Sequence, residues 1–152
     1  IFILFNMFAK FDYSLYDTHS IVKVILYNEI NELYFNNFIE EWESLYKLKK
    51  NFIFIFNTKN IGLMPLYYSI QMSQFISKLK KEPKQYLQKS IIIVNSNIVK
   101  YMLNIIFTYQ TPVAPVYLIE LNDNTNDIIH KILHNENKLI NKTNITTILP
   151  SK

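Results

Sequence analysis

The chain has 152 residues, is 49% hydrophobic and 18% charged, and carries a formal charge of +4; this suits one domain with a substantial core and excludes disorder as its main state. It has no cysteine, which removes disulfides and thiol chemistry, and no apolar run of the ~18 residues that a membrane span needs. All 16 basic residues are lysine, so the arginine forks that read base edges and clamp phosphates are missing, which argues against specific nucleic-acid binding.

The chain opens on IFILFNMFAKFDYS. No basic residue precedes the apolar stretch Ile1–Ala9 and no small-residue cleavage site follows it, so it is a poor signal peptide. Residues 1–7 are taken as upstream read-through or an N-terminal extension, with Met7 as candidate start. The expected location is cytoplasmic or otherwise intracellular, and the sequons at Asn141 and Asn144 are then chance. Phe8–Tyr16 and Ile21–Tyr27 read as strands around a polar turn, Asp17–Ser20. Asn28–Lys50 carries Ile30, Leu33, Tyr34, Phe38, Trp42 and Leu45 on one helical face, with lysines at its end that complement the helix dipole.

"NFIFIFN" (51–57) is a continuous apolar run, as in a strand buried on both faces. A helix to about Lys81 follows, its stripe marked by Tyr68, Met72, Phe75, Ile76 and Leu79, and Glu82 and Pro83 end it. Tyr86–Lys89 reads as a connection and "SIIIVN" (90–95) as the next core strand. The helix Ile98–Tyr109, the strand "PVYLIEL" (115–121) and a helix from Asn126 to His134 or on to Ile140 complete the alternation. The tail from Asn141 reads as frayed. The expectation is a single α/β domain over residues 8–140, with a mixed, largely parallel five-stranded sheet and about four helices, followed by a flexible tail at 141–152.

The segments FIFIFNTKNIGLMPLYYSIQMSQFISKLK, KSIIIVNSNIVKYMLNIIF and PVAPVYLIELNDNTNDIIHKIL, in this order, resemble the STAS domain of bacterial anti-sigma-factor antagonists over roughly residues 8 to 135. The second half is similar to CRAL-TRIO lipid-binding domains, without their extra N-terminal helices. In the antagonists the loop after the third strand carries a phosphorylated serine at the following helix start. Here that place holds Met64, Pro65, Leu66, Tyr67 and Tyr68, and the nearest hydroxyls are Thr58, Tyr67, Tyr68 and Ser69. The resemblance therefore implies a non-enzymatic interaction module without the phosphoserine switch.

The stretch NIGLMPLYYSI (60–70) holds the only glycine. Gly62 suits a positive-φ turn or a close backbone approach, and Pro65 suits the first helical position. Lys59 lies near a helix start that would attract an anion, yet the second glycine and the Gly-Lys-Ser/Thr of a P-loop are missing. The expected partner surface comprises Lys59, Asn60, Gly62, Tyr67, Tyr68, Ser69, Gln71, Gln74 and Lys78. Trp42, Tyr34, Tyr46, Tyr67 and Tyr101 would add amphipathic contact area.

His130 and His134 are spaced i, i+4 with Asp127 on the same face, but Lys131 stands where a zincin has glutamate, so a solvated face is preferred to a metal site. Lys78, Lys80, Lys81, Lys84 and Lys89 read as solvated helix-end charges, with an acidic protein or anionic lipid as the alternative contact. No nucleophile elbow or dinucleotide turn is present. The preferred reading has no cofactor and another protein as partner. The rival is a carrier of a lipid or small ligand, with Met64, Met72 and Met102 as adaptable lining. A nucleotide-binding domain is the third reading.

Overall fold

Five of the six strand segments are rich in β-branched or aromatic residues, and all six pair into one sheet. The computed structural model describes residues 7–134 and 145–151. In chain order the elements are β1 (Ala9–Asp12), α1 (Tyr16–His19), β2 (Ile21–Tyr27), α2 (Glu32–Lys47), β3 (Phe52–Asn60), α3 (Leu66–Leu79), β4 (Leu87–Val94), α4 (Asn97–Tyr109), β5 (Val116–Glu120), α5 (Thr125–Leu133) and β6 (Ile145–Ile148). The strands lie side by side in chain order. β2 to β5 are parallel, and β1 and β6 close the two edges antiparallel. The protein is α/β with a mostly parallel mixed sheet.

Sequential strand order decides where the helices go. Right-handed crossovers between adjacent parallel strands put every connecting helix on the same face. Phe38, Trp42 and Leu45 of α2, Phe75 and Leu79 of α3, and Val99 and Met102 of α4 accordingly share one core. The sheet offers them cross-strand rows: Val22, Phe54, Ser90, Val116 and Ile148 in one, and Phe11, Val24, Phe56, Ile92 and Leu118 in the next. On the opposite face Ile21, Ile55, Ile91 and Ile119 pack with Ile128 and Ile132 of α5.

Several elements differ from the sequence expectation. β1 stops at Asp12, whose carboxylate accepts the Ser14 backbone N–H at 2.9 Å and turns the chain. The expected turn at Asp17–Ser20 lies within the helical turn α1 and its C-cap Ser20, which takes φ 57°. α2 begins later than Asn28, because Asn31 caps it by accepting the Tyr34 N–H at 2.8 Å. β4 takes in Leu87 to Lys89, expected as a connection, since Leu87 pairs with Phe52 and Lys89 with Ile53.

Part of the expected tail is structured. Ile145–Ile148 forms β6 on β5, so the sheet has six strands and the helices number five among the described residues. The β-branched ITTI alternates between faces: Ile145 joins the isoleucine side and Ile148 the helix side. The expected helix extension to Ile140, both sequons and residues 1–6 lie outside the described residues.

Candidate functional site

The residues expected to dock a partner are not gathered at one point. Lys59 and Asn60 end β3 and are exposed. Gly62 lies in the β3–α3 loop and does not take positive φ, which corrects one of the two reasons given for a glycine. The other reason holds: its N–H donates to Asn28 Oδ1 at 3.0 Å, and a Cβ would come within 2.5 Å of that oxygen. Pro65 is the N-cap of α3, one residue before the first helical position.

Tyr67, Gln71, Gln74 and Lys78 follow one helical stripe of α3. Both ends of that stripe are tied to α2. The Tyr67 hydroxyl donates to Glu32 Oε1 at 3.3 Å, and Lys78 pairs with Glu43 at 3.4 Å. Partial desolvation and the Glu32 carboxylate raise the Tyr67 pKa. Ser69 is only 1% exposed, so it is a packing residue, a correction to its expected place on the surface. Beside it, the Ser73 hydroxyl donates to the Ser69 and Ile106 carbonyls at 3.1 and 3.0 Å, which the small side chains allow by bringing α3 close to α4. Tyr68 is half-buried against Phe35, with ring centroids 5.5 Å apart.

Tyr68 also borders the feature the rim residues surround: an apolar cavity of about 120 Å³ between the helix-covered sheet face and α2, α3 and α4. Its origin is readable in residue sizes. Ser90 stands in the row between Phe54 and Val116, and Ala114 precedes β5, so the floor is low where its neighbours are bulky. Met64 of the β3–α3 loop, Met72 of α3 and Met102 of α4 supply flexible thioether walls. Phe8, Phe38 and Trp42 supply a stiff aromatic wall. Among the described residues, the lining contains no carboxylate, amine or imidazole.

The β3–α3 loop closes one side through Ile61 and Met64. The Ile61 N–H donates to the Thr58 carbonyl at 3.1 Å. Besides the Gly62–Asn28 bond, the Met64 N–H donates to Met102 Sδ at 3.4 Å, and a thioether is a weak acceptor. Leu63 and Leu66 beside it are exposed.

Trp42 and Tyr46, expected to offer contact area, are core residues with 6% and 8% exposure. Trp42 touches Phe54 and Phe75 edge-to-face at 4.9 and 5.2 Å. Its indole N–H is buried with no hydrogen-bond partner among the described residues, a state that costs about 1–3 kcal/mol. The sequence signal for this cavity was the methionine trio; nothing in the pattern marked Trp42, because a tryptophan on a helix stripe is ordinary core material.

The polar candidates resolve into local structure. The Asn122–Thr125 turn leads into α5 and is closed on itself, with no side-chain capping bond from the N-cap Asn124: Asn122 Oδ1 accepts the Asn124 N–H, and Thr125 Oγ1 accepts the Asn122 N–H, both at 2.8 Å. Lys100 pairs with Glu120 at the carboxyl ends of β4 and β5. Lys47, Lys49, Lys78 and Lys84 surround a cleft at the C-terminal ends of α2 and α3, interleaved with Glu43 and Glu82. The rings of His130 and His134 lie 4.2 Å apart at a 47° tilt, Asp127 is engaged by Lys131 at 3.0 Å, and no group of three metal-ligating side chains occurs among the described residues.

The shifted titrating groups lie away from the cavity. Burial pushes the Tyr46 phenol up to about 12, where its hydroxyl donates to Gln85 Oε1 at 2.6 Å. Burial and the bond to Glu41 raise Tyr13, and burial lowers Lys89, which donates to the Ile132 carbonyl at 3.0 Å. No helix among the described residues is long and apolar enough to cross a membrane. No protein-family model matches the chain, and neither a curated protein nor a solved structure is significantly similar to it.

Proposed function

We propose that this chain binds a small apolar molecule in the cavity beneath α2, α3 and α4, and does no chemistry on it. The observation that carries the reading is the partly open, apolar pocket walled by three of the four methionines. An apolar cavity of roughly 150 Å³ stays dry and takes up benzene or xenon; at about 120 Å³ this one suits a small ring or a short hydrocarbon. A full lipid chain needs the walls to move apart, which narrows the CRAL-TRIO-like carrier reading to small ligands. The described lining has no carboxylate, amine or imidazole, which favours binding over acid–base catalysis near neutral pH.

The test is a toluene titration followed by the methionine methyl resonances. Met64, Met72 and Met102 should shift and saturate together, while Met7, which does not line the cavity, stays in place. Static resonances, or four methyls drifting equally without saturation, would refute the proposal.

One observation favours a second reading, the STAS-like interaction module with a protein partner. Ile98, Tyr101 and Tyr109 are 44%, 60% and 70% exposed along one stripe of α4. On this reading Tyr101→Glu abolishes capture of the partner protein from lysate, whereas charge reversal at Lys78, already engaged by Glu43, does little. An unchanged set of captured proteins in Tyr101→Glu would eliminate the stripe.

A further inference from the structure

We infer that the occupant of the cavity is uncharged and carries one oxygen function, a ketone or an alcohol, that hydrogen-bonds the Ser90 hydroxyl in the cavity floor. The inference rests on the reading that the cavity takes a ligand, and it specifies the ligand's chemistry.

The sheet register fixes the face on which Ser90 stands. It pairs with Phe54 on one side and Val116 on the other, and both belong to the core under α2, α3 and α4. Paired residues share a face, while Ile91, next along β4, packs on the opposite one. A serine side chain ends one atom beyond Cβ. In every rotamer its oxygen therefore stays on the helix-covered side, where Ser90 lines the cavity. Ser90 is 4% exposed, and its hydroxyl makes no hydrogen bond among the described residues. The hydroxyls sealed off there without a partner are those of Tyr16 and Ser96; the Ser90 oxygen is not one of them, so it keeps accessible surface.

The surroundings offer this hydroxyl nothing to bond. Phe54 and Val116 beside it, and Phe56, Ile92 and Leu118 in the next row, are hydrocarbon. The Thr58 hydroxyl, also in the lining, donates to the Ile93 carbonyl at 2.7 Å. An unpaired buried hydroxyl destabilises a fold, and an alanine at this place would not. An oxygen on the occupant pairs it, in a water-poor setting where the bond is worth more than in solvent. A carboxylate or an amine would bring a charge that no lysine, histidine or acid in the described lining balances. The class that remains is a small neutral ketone or alcohol with an otherwise apolar body.

Two probes of matched shape test this: cyclohexanone, which has the oxygen, and methylenecyclohexane, which lacks it. Each is titrated into the full chain and into Ser90→Ala, which removes the hydroxyl and adds nothing to the floor, while the methionine methyls are followed. Both probes should move Met64, Met72 and Met102 in the unaltered chain. Ser90→Ala should raise the Kd of cyclohexanone about tenfold, the worth of one buried hydrogen bond, and that of methylenecyclohexane by less than about twofold. The carbonyl stretch of bound cyclohexanone should lie lower in the unaltered chain than in Ser90→Ala, a difference that a serine of purely structural role would not produce. Equal Kd changes for the two probes, or a carbonyl stretch that the substitution does not move, would overturn the inference and leave cavity binding standing. Methyl shifts with methylenecyclohexane alone would do the same. Methyls that respond to neither probe would overturn both readings.

Discussion

The two faces of the sheet are filled in different ways. On the α5 side, Ile21, Ile55, Ile91 and Ile119 meet Ile128 and Ile132, so isoleucine fills the buried centre, with Leu15, Tyr117 and Leu133 packed at its margin. On the side of α2, α3 and α4, phenylalanine and tryptophan rings sit beside methionine, serine and alanine. Uniform β-branched side chains interlock with few rotamers, whereas large rings next to Ser90 and Ala114 leave a step that flexible thioethers bridge incompletely. The difference teaches that the cavity is a consequence of residue size along particular cross-strand rows. The topology supplies three helices over one face, and the sequence then leaves that face unevenly filled.

The aromatic wall should be the least forgiving part of the molecule. Trp42→Ala deletes a ring packed against Phe38, Phe54, Phe56 and Phe75, and is expected to cost about 3–5 kcal/mol in urea unfolding. Met72→Leu, in the thioether wall of the same cavity, conserves volume and should cost less than about 1.5 kcal/mol. Equal losses in the two variants would erase the distinction between the walls.

Ile91→Val probes the isoleucine face, where the expected loss is about 0.5–1.5 kcal/mol with toluene binding unchanged. Ser90→Val does the reverse: it raises the cavity floor from the row shared with Phe54 and Val116. Toluene-dependent methyl shifts should then need at least about tenfold more ligand, a change of about 1.4 kcal/mol. If Ile91→Val weakens toluene binding as strongly as Ser90→Val, the two faces are not independent.

Tyr46 extends the aromatic side to its lower end, against Phe52 and Tyr86. Its folded pKa is raised from 10.0 to about 12, chiefly by burial. The stability this contributes is complete below pH 10 and is lost as the pH rises from 10 to 12, because the unfolded chain releases the proton first. The melting temperature should fall across that window, and Tyr46→Phe should flatten the fall. The smallest effect is expected from Gly62→Ala. The added Cβ meets only the movable end of Asn28, so unfolding free energy should drop by about 1 kcal/mol or less, while the loop bond is lost and toluene exchange quickens.

Much of this architecture was legible in the chain. Continuous apolar runs marked β3 and the core of β4, and a helical period marked α2, α3 and α4. The four-residue edge strands were harder: β1 was drawn too long, and β6 was read as tail because ITTI is too short to establish alternation beside asparagine-rich neighbours. Phe35 and Tyr46 were missed as core because α2 has apolar residues around more than one face, which blurs its stripe. The methionine trio was named as lining from flexibility alone, and the structure places all three around one cavity. Ser69, expected on the α3 docking surface, is instead packed, and the pairing of other α3 residues has a cause that no local pattern contains. Strand order puts α2 and α3 side by side, and this turns Tyr67 and Lys78 toward Glu32 and Glu43.

The most direct measurement is diffraction from a crystal pressurised with xenon. The account predicts one well-occupied xenon among Met64, Met72 and Met102, lost in Ser90→Val. A crystal with no xenon there, its side chains closed over the space, would contradict it.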